Sequence, residues 1–212
     1  MKTKWVRMPL GPLQTNCYLF SNENNECIIF DPGSEGSRLN TYLKEKKLTP
    51  LAILLTHAHF DHIGGVEDVR NQWGIPVYIH RNEKKWLTSP ALNGSQRFIG
   101  HEISSRDADH LIEAEGDLQI GAFTLQVFET PGHSPGSVSF YSRDARLVFS
   151  GDALFEGSIG RTDLPGGNHD QLLKSIHDKL LTLPEDTIVL SGHGPETTIE
   201  FEMESNPYLN GF

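Results

Sequence analysis

The stretch THAHFDHIGG, residues 56–65, stands at the end of the apolar run LAILLT, residues 51–56. A continuous apolar run of this length predicts a strand that is covered on both faces. The loop after it carries four ligand-type side chains in the pattern H-x-H-x-D-H, namely His57, His59, Asp61 and His62. Imidazole nitrogens and carboxylate oxygens are the donors that zinc and similar ions prefer, and α/β proteins place their sites at the carboxyl ends of strands. The pattern therefore predicts half of a metal site, and it disfavours a polar turn that only caps the next helix.

Three further segments place a ligand-type residue at the end of a predicted strand. His133 follows FTLQVFE within TPGHSPGS, His193 follows TIVL within SGHGPE, and Asp152 ends the run LVFSGD. A single histidine at a strand end is more often structural than a ligand, but glycines flank both of these histidines and let the backbone turn sharply and approach closely. An aspartate in this position has two oxygens with which to bridge two cations. Together these residues predict the other half of the site.

Strand and helix patterns are interleaved along the chain, which favours an α/β domain with more than one sheet. Leucines at helical spacing predict an amphipathic helix over residues 37–47, and a second helix is predicted over residues 62–73. A hairpin is predicted around Gly121, and Asn168 is predicted to cap a later helix. The polar residues 81–110 show only weak helical periodicity and receive no secondary-structure prediction.

Length, charge and cysteine content exclude several classes of protein. The chain has 212 residues, and we expect one domain over 1–212. Its 18 basic and 28 acidic residues give a net charge of −10, which disfavours nucleic acid as a partner. No apolar run approaches the length of a membrane span, and the amino end lacks the apolar segment of a secretory signal. Two cysteines in strand-like settings are expected to be free thiols, with one disulfide between them as the alternative, and a cytoplasmic location is predicted.

The candidate ligands occur in an order that resembles the metallo-β-lactamase fold superfamily, and the resemblance covers essentially the whole chain. That order is H-x-H-x-D-H at 57–62, followed by His133, Asp152 and His193. The resemblance implies an α/β fold of the αββα type, a sandwich of two mixed β-sheets flanked by helices, with two divalent metal ions at one edge. Zinc is expected, and iron and manganese are the alternatives. The resemblance also implies a ligand set: the first metal is held by His57, His59 and His133, the second by Asp61, His62 and His193, and Asp152 bridges both.

Within that superfamily, two segments of the chain are similar to those of short hydroxyacylglutathione hydrolases of the glyoxalase II type. They are SGDALFEGSIGRTDLPGG and the ending GHGPETTI. The eukaryotic type continues into a helical carboxyl-terminal domain that supplies much of the glutathione site. This sequence stops at Phe212 and is expected to lack that domain. The implied activity is hydrolysis of a small-molecule thioester, such as S-lactoylglutathione or a related hydroxyacyl-thiol, by attack of a hydroxide shared between the metals. Asp61 and Asp152 are the carboxylates expected to take part in catalysis.

Arg161 is a candidate substrate-binding residue in the long glycine-rich loop 152–167, because long loops in compact domains are usually functional or mobile. Its guanidinium could bind a substrate carboxylate in a two-pronged fashion. Alternatively, it forms an ion pair with Asp163 or Glu156 and only fixes the loop.

Other activities of the same superfamily remain alternatives. A persulfide dioxygenase would hold one iron with His57, His133 and Asp152, and lactone hydrolases share the full ligand set. Zinc β-lactamases are disfavoured because they generally lack the bridging aspartate that Asp152 would supply. A non-catalytic metal-binding protein is disfavoured because every expected ligand is present.

Overall fold

The computed structural model describes residues 2–209, and the contacts within the chain group them into two units. The first unit extends to Glu113 and the second begins at Ala114. Each unit contains one six-stranded sheet with both parallel and antiparallel neighbours. The predicted α/β class with two mixed sheets and helices is therefore confirmed. The assignment of residues 1–212 to one domain stays a prediction.

The first sheet is built from six strands in sequence order. They are β1 (Thr3–Leu10), β2 (Thr15–Asn22), β3 (Glu26–Phe30), β4 (Thr49–Leu54), β5 (Val77–His80) and β6 (His110–Ile112). The first three are antiparallel neighbours, and β3 to β6 run parallel. The helices of this unit are α1 (Gly36–Glu45), α2 (Phe60–Ile63), α3 (Val66–Trp73), α4 (Pro90–Asn93) and α5 (Ser95–Phe98), and a 3-10 turn covers Arg81–Glu83. The parallel arrangement brings the carboxyl ends of β3 and β4 side by side.

Helices α1 and α3 pack on this sheet through their apolar sides. Leu39 and Leu43 of α1 are fully buried, as are Val66 and Val69 of α3, in one cluster with Ile53 of β4. Each such side chain contributes roughly 1.5–3 kcal/mol relative to an exposed position. The helix predicted over residues 37–47 is confirmed as α1.

The helix predicted over residues 62–73 is wrong in its first part, because the structure has two helices there. Gly64 and Gly65 separate α2 from α3. A Cβ atom on Gly64 would lie 2.5 Å from the carbonyl oxygen of Gly33, so the loop after β3 passes directly against these two residues. This close backbone approach, which no helical periodicity reveals, explains the interruption.

The second sheet has the order β14-β13-β10-β9-β8-β7. Its strands are β7 (Gly116–Ile120), β8 (Phe123–Glu129), β9 (Val138–Ser142), β10 (Leu147–Gly151), β13 (Ile188–Ser191) and β14 (Thr197–Thr198), and a separate two-stranded sheet pairs β11 (Leu154–Phe155) with β12 (Ser158–Ile159). The helices are α6 (His169–Ser175), which continues into a π-helical turn (Ile176–Leu180), and α7 (Ile199–Ser205). Parallel pairing of β10 with β13 places the ends of these two strands side by side.

Two local predictions are confirmed in the second unit. β7 and β8 form the antiparallel hairpin around Gly121. The side chain of Asn168 accepts a hydrogen bond from the backbone N–H of Gln171 at 3.0 Å and caps α6. The apolar side of α6 is buried against the sheet in a cluster that includes Leu172, Val148 and Val189.

Both cysteines are buried and neither is in a disulfide, as predicted. Burial raises the pKa of the Cys27 thiol to about 12, so this side chain packs as a small apolar group. Among residues 2–209, no helix is long and apolar enough to cross a membrane.

Candidate metal centre

The first cluster of predicted ligands lies in the loop that follows β4. The ring centroids of His57 and His59 are 4.9 Å apart, and those of His57 and His62 are 4.1 Å apart. The Nε2 atom of His62 lies 3.6 Å from Oδ2 of Asp61. All three histidines are buried. The structure therefore brings the four predicted ligands of the H-x-H-x-D-H pattern together within the first unit.

Asp31, at the carboxyl end of β3, anchors this loop. Its Oδ1 accepts the backbone N–H of Thr56 at 2.8 Å, and its Oδ2 accepts the Thr56 hydroxyl at 2.6 Å. The same Oδ2 lies 3.0 Å from Nδ1 of His62. Asp31 has a left-handed backbone with φ of 46°, which aspartate adopts more readily than most residues. One buried carboxylate thus holds both the start and the end of the histidine stretch.

These contacts decide which nitrogen of each imidazole is able to bind a cation. Because the carboxylate of Asp31 accepts only, Nδ1 of His62 carries the hydrogen, and Nε2 is left with its lone pair. The Thr56 hydroxyl donates to Asp31, so its oxygen accepts from Nδ1 of His57 at 3.1 Å. Histidines that bind metals almost always donate their other N–H to such an acceptor. The donor set therefore fits a divalent cation at the Nε2 atoms.

Two more side chains hold the remaining parts of the loop. The hydroxyl of Thr15 donates to Oδ2 of Asp61 at 2.8 Å, which orients that carboxylate. Glu83 is fully buried, and its Oε2 accepts the backbone N–H of Ala58, between His57 and His59, at 2.6 Å. Glu83 is thus a positioning residue for the two histidines.

We expect Glu83→Gln to weaken metal binding about tenfold, because groups that orient metal ligands are worth 10–100-fold in affinity and the amide can replace the carboxylate as acceptor only in one orientation. The matched control is Glu202→Gln. Glu202 is equally buried and accepts hydrogen bonds from Gly157, Thr197 and Asn206 in the second unit. Competition with a chelator would measure the zinc affinity of both variants. Equal losses in the two variants would contradict the positioning role.

The second cluster lies at strand ends of the second unit. Oδ2 of Asp152, directly after β10, is 3.5 Å from Nε2 of His133 and 3.6 Å from Nε2 of His193. His133 is buried, whereas the side chain of His193 is 31% exposed. The structure therefore brings the three predicted ligands of this unit together around one aspartate.

The loop after β10 also fixes His133. The backbone carbonyl of Arg161 accepts from Nδ1 of His133 at 2.8 Å, which again leaves Nε2 to bind a cation. Gly160 permits this arrangement, because a Cβ atom there would lie 1.8 Å from the carbonyl oxygen of Asp152. A side chain at position 160 would therefore displace both the loop and Asp152.

The guanidinium of Arg161 forms a two-pronged ion pair with Asp163, with distances of 2.8 and 2.7 Å. The hydrogen bonds that Arg161 donates to Asp163 are the main reason why the pKa of Arg161 is raised. Both side chains are largely exposed, and exposed pairs of this kind contribute little to stability. The loop-fixing ion pair foreseen in the sequence is thus present, and the substrate-binding role of Arg161 stays a prediction.

Sequence reasoning did not identify Asp31, Thr15 and Glu83 as parts of the site. The segment Asp31-Pro32-Gly33 has ordinary turn chemistry, which accounts for the omission. One signal was available for Asp31, since it ends an apolar strand just as Asp152 does. Nothing local distinguishes Thr15 or Glu83, because their contacts are with residues 46 and 25 positions away.

The comparisons with known proteins agree with this fold. The family model described as "Metallo-beta-lactamase superfamily" matches residues 10–193. The chain belongs to the metallo-β-lactamase superfamily and has its fold.

Two curated relatives cover nearly the whole chain. A Bacillus subtilis protein named "Probable metallo-hydrolase YqgX" is 63% identical over 209 residues, which is 99% of each chain. A Haemophilus influenzae protein named "Hydroxyacylglutathione hydrolase GloC" is 36% identical over 96% of each chain.

Two solved structures are also similar. A crystal structure of the "BLEG-1 B3 metallo-beta-lactamase" is 58% identical and superposes with a TM-score of 0.97, covering 98% of this chain and 100% of that one. A crystal structure of "TTHA1623 in a di-iron-bound form" is 41% identical with a TM-score of 0.86, covering 96% and 100%.

Proposed function

We propose that this protein is a metal-dependent hydrolase that cleaves a thioester, namely S-lactoylglutathione or a related hydroxyacyl-thiol. The observation that carries the proposal is the donor set, in which hydrogen bonds at Nδ1 of His57, His62 and His133 leave each Nε2 able to bind a cation. The similarity to GloC supports the choice of substrate.

The proposed centre holds two divalent metal ions, with ligands from both clusters. His57, His59 and His133 would hold the first metal, Asp61, His62 and His193 would hold the second, and Asp152 would serve both. Zinc is the proposed metal, because nitrogen-rich sets with carboxylates suit it. Iron and manganese are alternatives, and the di-iron form of TTHA1623 supports iron.

The chemistry that two bound cations supply is a lowered pKa of water and a polarised carbonyl oxygen, which allow attack at neutral pH. The carboxylates of Asp61 and Asp152 would orient the attacking water, and Thr15 holds Asp61 in place for that task. The anchored imidazoles keep the geometry fixed, so little reorganisation is needed as charge develops. A thiolate is a good leaving group, so the residues need not include a strong general acid.

The proposed partner is a small molecule, since a net charge of −10 disfavours nucleic acid. A cytoplasmic location is part of the proposal. It is supported by two buried cysteines that are free thiols, as proteins of reducing compartments have.

Hydrolysis of β-lactams is a second candidate, because the similar BLEG-1 structure carries that name. Asp152 weighs against it, as a bridging aspartate is uncharacteristic of zinc β-lactamases.

Purified metal-loaded protein should be assayed with S-lactoylglutathione, a simple thioester, a lactone, a β-lactam and a persulfide. We expect the thioesters to have the highest kcat/KM. Oxygen uptake with the persulfide and no thioester cleavage would contradict the proposal, as would a preference for the β-lactam.

We expect Arg161→Ala to raise KM about tenfold for a thioester that bears a carboxylate, because hydrogen bonds to charged groups contribute about 1.5–3 kcal/mol and exposure reduces this. KM for an uncharged thioester should be unchanged. Arg143→Ala is the control, since Arg143 forms a comparably exposed ion pair with Asp117 in the same unit. Steady-state kinetics would measure both. An equal effect on charged and uncharged substrates would leave Arg161 with only its loop-fixing role.

A further inference from the structure

A small pocket in the first unit lies beside Asp61 and is not used by the chemistry above. Its walls come from the turn between β1 and β2, from α2 and from the segment after α5. Most of the lining is apolar and includes Leu10, Leu13, Phe60, Ile99 and Ile103. Asp61 lies at the same pocket, so a molecule bound at Asp61 would have this apolar surface next to it.

The size of the pocket limits what it can hold. Its volume is about 150 Å³, which is below the roughly 300–1,000 Å³ of sites that enclose a whole ligand. An apolar cavity of roughly 150 Å³ holds one benzene molecule. The pocket therefore suits one hydrocarbon group of a larger substrate.

The turn that forms one wall is held in place by its own hydrogen bonds. The backbone N–H of Gly11 donates to Oε1 of Glu35 at 2.7 Å, and the N–H of Gln14 donates to the carbonyl of Gly11 at 3.1 Å. The hydrogen bond from the Gly11 N–H is also the largest cause of the lowered pKa of Glu35. The Glu35 carboxylate, which holds the turn, therefore stays ionised at neutral pH. A wall fixed in advance reduces the ordering cost of binding.

Apolar side chains are exposed around this pocket. Leu13 is 50% exposed on the turn, and Phe98 is 45% exposed while its ring stacks on that of Phe60 with centroids 6.4 Å apart. Neighbouring exposed apolar groups beside a concave site are typical of ligand contact. The opposite arrangement, a polar lining with charged side chains, would be expected for a carboxylate or phosphate.

We propose that this pocket binds a hydrocarbon group of up to about six carbons on the substrate, and that among hydroxyacyl-thiols it favours those with such a group over S-lactoylglutathione, whose acyl part is short and polar. The group belongs either to the acyl part or to the thiol part of the thioester. The substrate class rests on the proposed function, but the pocket can be tested without any hydrolysis.

The test measures binding of straight-chain carboxylates from acetate to hexanoate to the zinc-loaded protein, by ligand-observed NMR. Carboxylate oxygens are suitable metal ligands, so the series extends an alkyl chain from the metal centre. We expect Kd to fall about fourfold per methylene, the value for burial of one such group. Ile99→Trp fills the pocket and should abolish this dependence while leaving acetate binding unchanged.

Two other variants keep the test decisive. Leu92→Trp is the control, because Leu92 is 46% exposed in α4 and does not line the pocket; it should retain the chain-length dependence. Leu13 is exposed, so Leu13→Asp should not prevent folding. This substitution should weaken hexanoate binding at least tenfold. A Kd that does not depend on chain length in the unmodified protein would overturn the proposal. The same dependence in Ile99→Trp and Leu13→Asp would also overturn it.

Thioester turnover then separates this proposal from the proposed function. Two series would be assayed, one with a varied acyl chain and one with a varied thiol chain, to show which part of the substrate carries the group. If no thioester is cleaved but carboxylate binding depends on chain length, the hydrolase proposal fails and the pocket stands. If thioesters are cleaved with no preference in either series and Kd is constant, the pocket fails and the hydrolase stands.

Discussion

Asp152→Ala is expected to abolish hydrolysis and to release at least one metal ion. The proposed role of Asp152 is to serve both metals, and its Oδ2 lies 3.5 and 3.6 Å from the Nε2 atoms of His133 and His193. Loss of a single stabilising donor costs roughly 10²–10³-fold in kcat in other hydrolases, so loss of a metal ligand should cost about 10³-fold or more. Metal analysis and steady-state kinetics on the same preparation would measure both effects.

The control for this variant is Asp144→Ala, an exposed aspartate in the turn that leads into the same strand, β10. It should keep full metal content and full activity. A preparation of Asp152→Ala that still holds two metals per chain would refute the bridging role, whatever its activity.

Asp31→Ala is expected to lower metal affinity about 10–100-fold, the usual effect of removing a group that orients a metal-binding histidine. The substitution takes away the acceptor for Nδ1 of His62 and for both the N–H and the hydroxyl of Thr56. Buried donors left without an acceptor cost about 1–3 kcal/mol each, so the metal-free protein should also be less stable. Activity should return in part at high metal concentration, because the ligands themselves remain.

Zinc titration and thermal unfolding of the metal-free protein would measure these two effects. Asp31→Asn tests the role of charge at constant shape, and Asp68→Asn, on the exposed side of α3, is the neutral control. Unchanged zinc affinity in Asp31→Ala would show that the histidines do not depend on this anchor.

The ligand candidates were predictable because each follows a strong local signal. His57, His133, Asp152 and His193 all follow apolar runs that form strands β4, β8, β10 and β13, and strand ends gather at a sheet edge. The hairpin at Gly121 and the cap at Asn168 likewise depend on neighbours a few residues away. For such features the sequence pattern and the structure agree.

The features that were missed depend on contacts between distant residues. The interruption between α2 and α3 results from the loop at Gly33, and the anchoring role of Asp31 results from Thr56 and His62, which lie 25 and 31 positions further along the chain. The structure of residues 81–110, which received no prediction from the sequence, also depends on contacts between distant residues. Asn93 donates to the carbonyls of Trp86 and Ile103, and Arg70 of α3 binds Asp109 at 2.6 Å. Local periodicity carries no information about these pairings.

The predicted ligands are proposed to hold two metals that together hydrolyse a thioester. Titration of the metal-free protein with zinc, while S-lactoylglutathione hydrolysis is followed, tests this claim most directly. We predict that activity rises until about two equivalents of zinc per chain are bound and then stays constant, as a two-metal site requires. Activity that is complete at one equivalent, or that never appears, would contradict the claim.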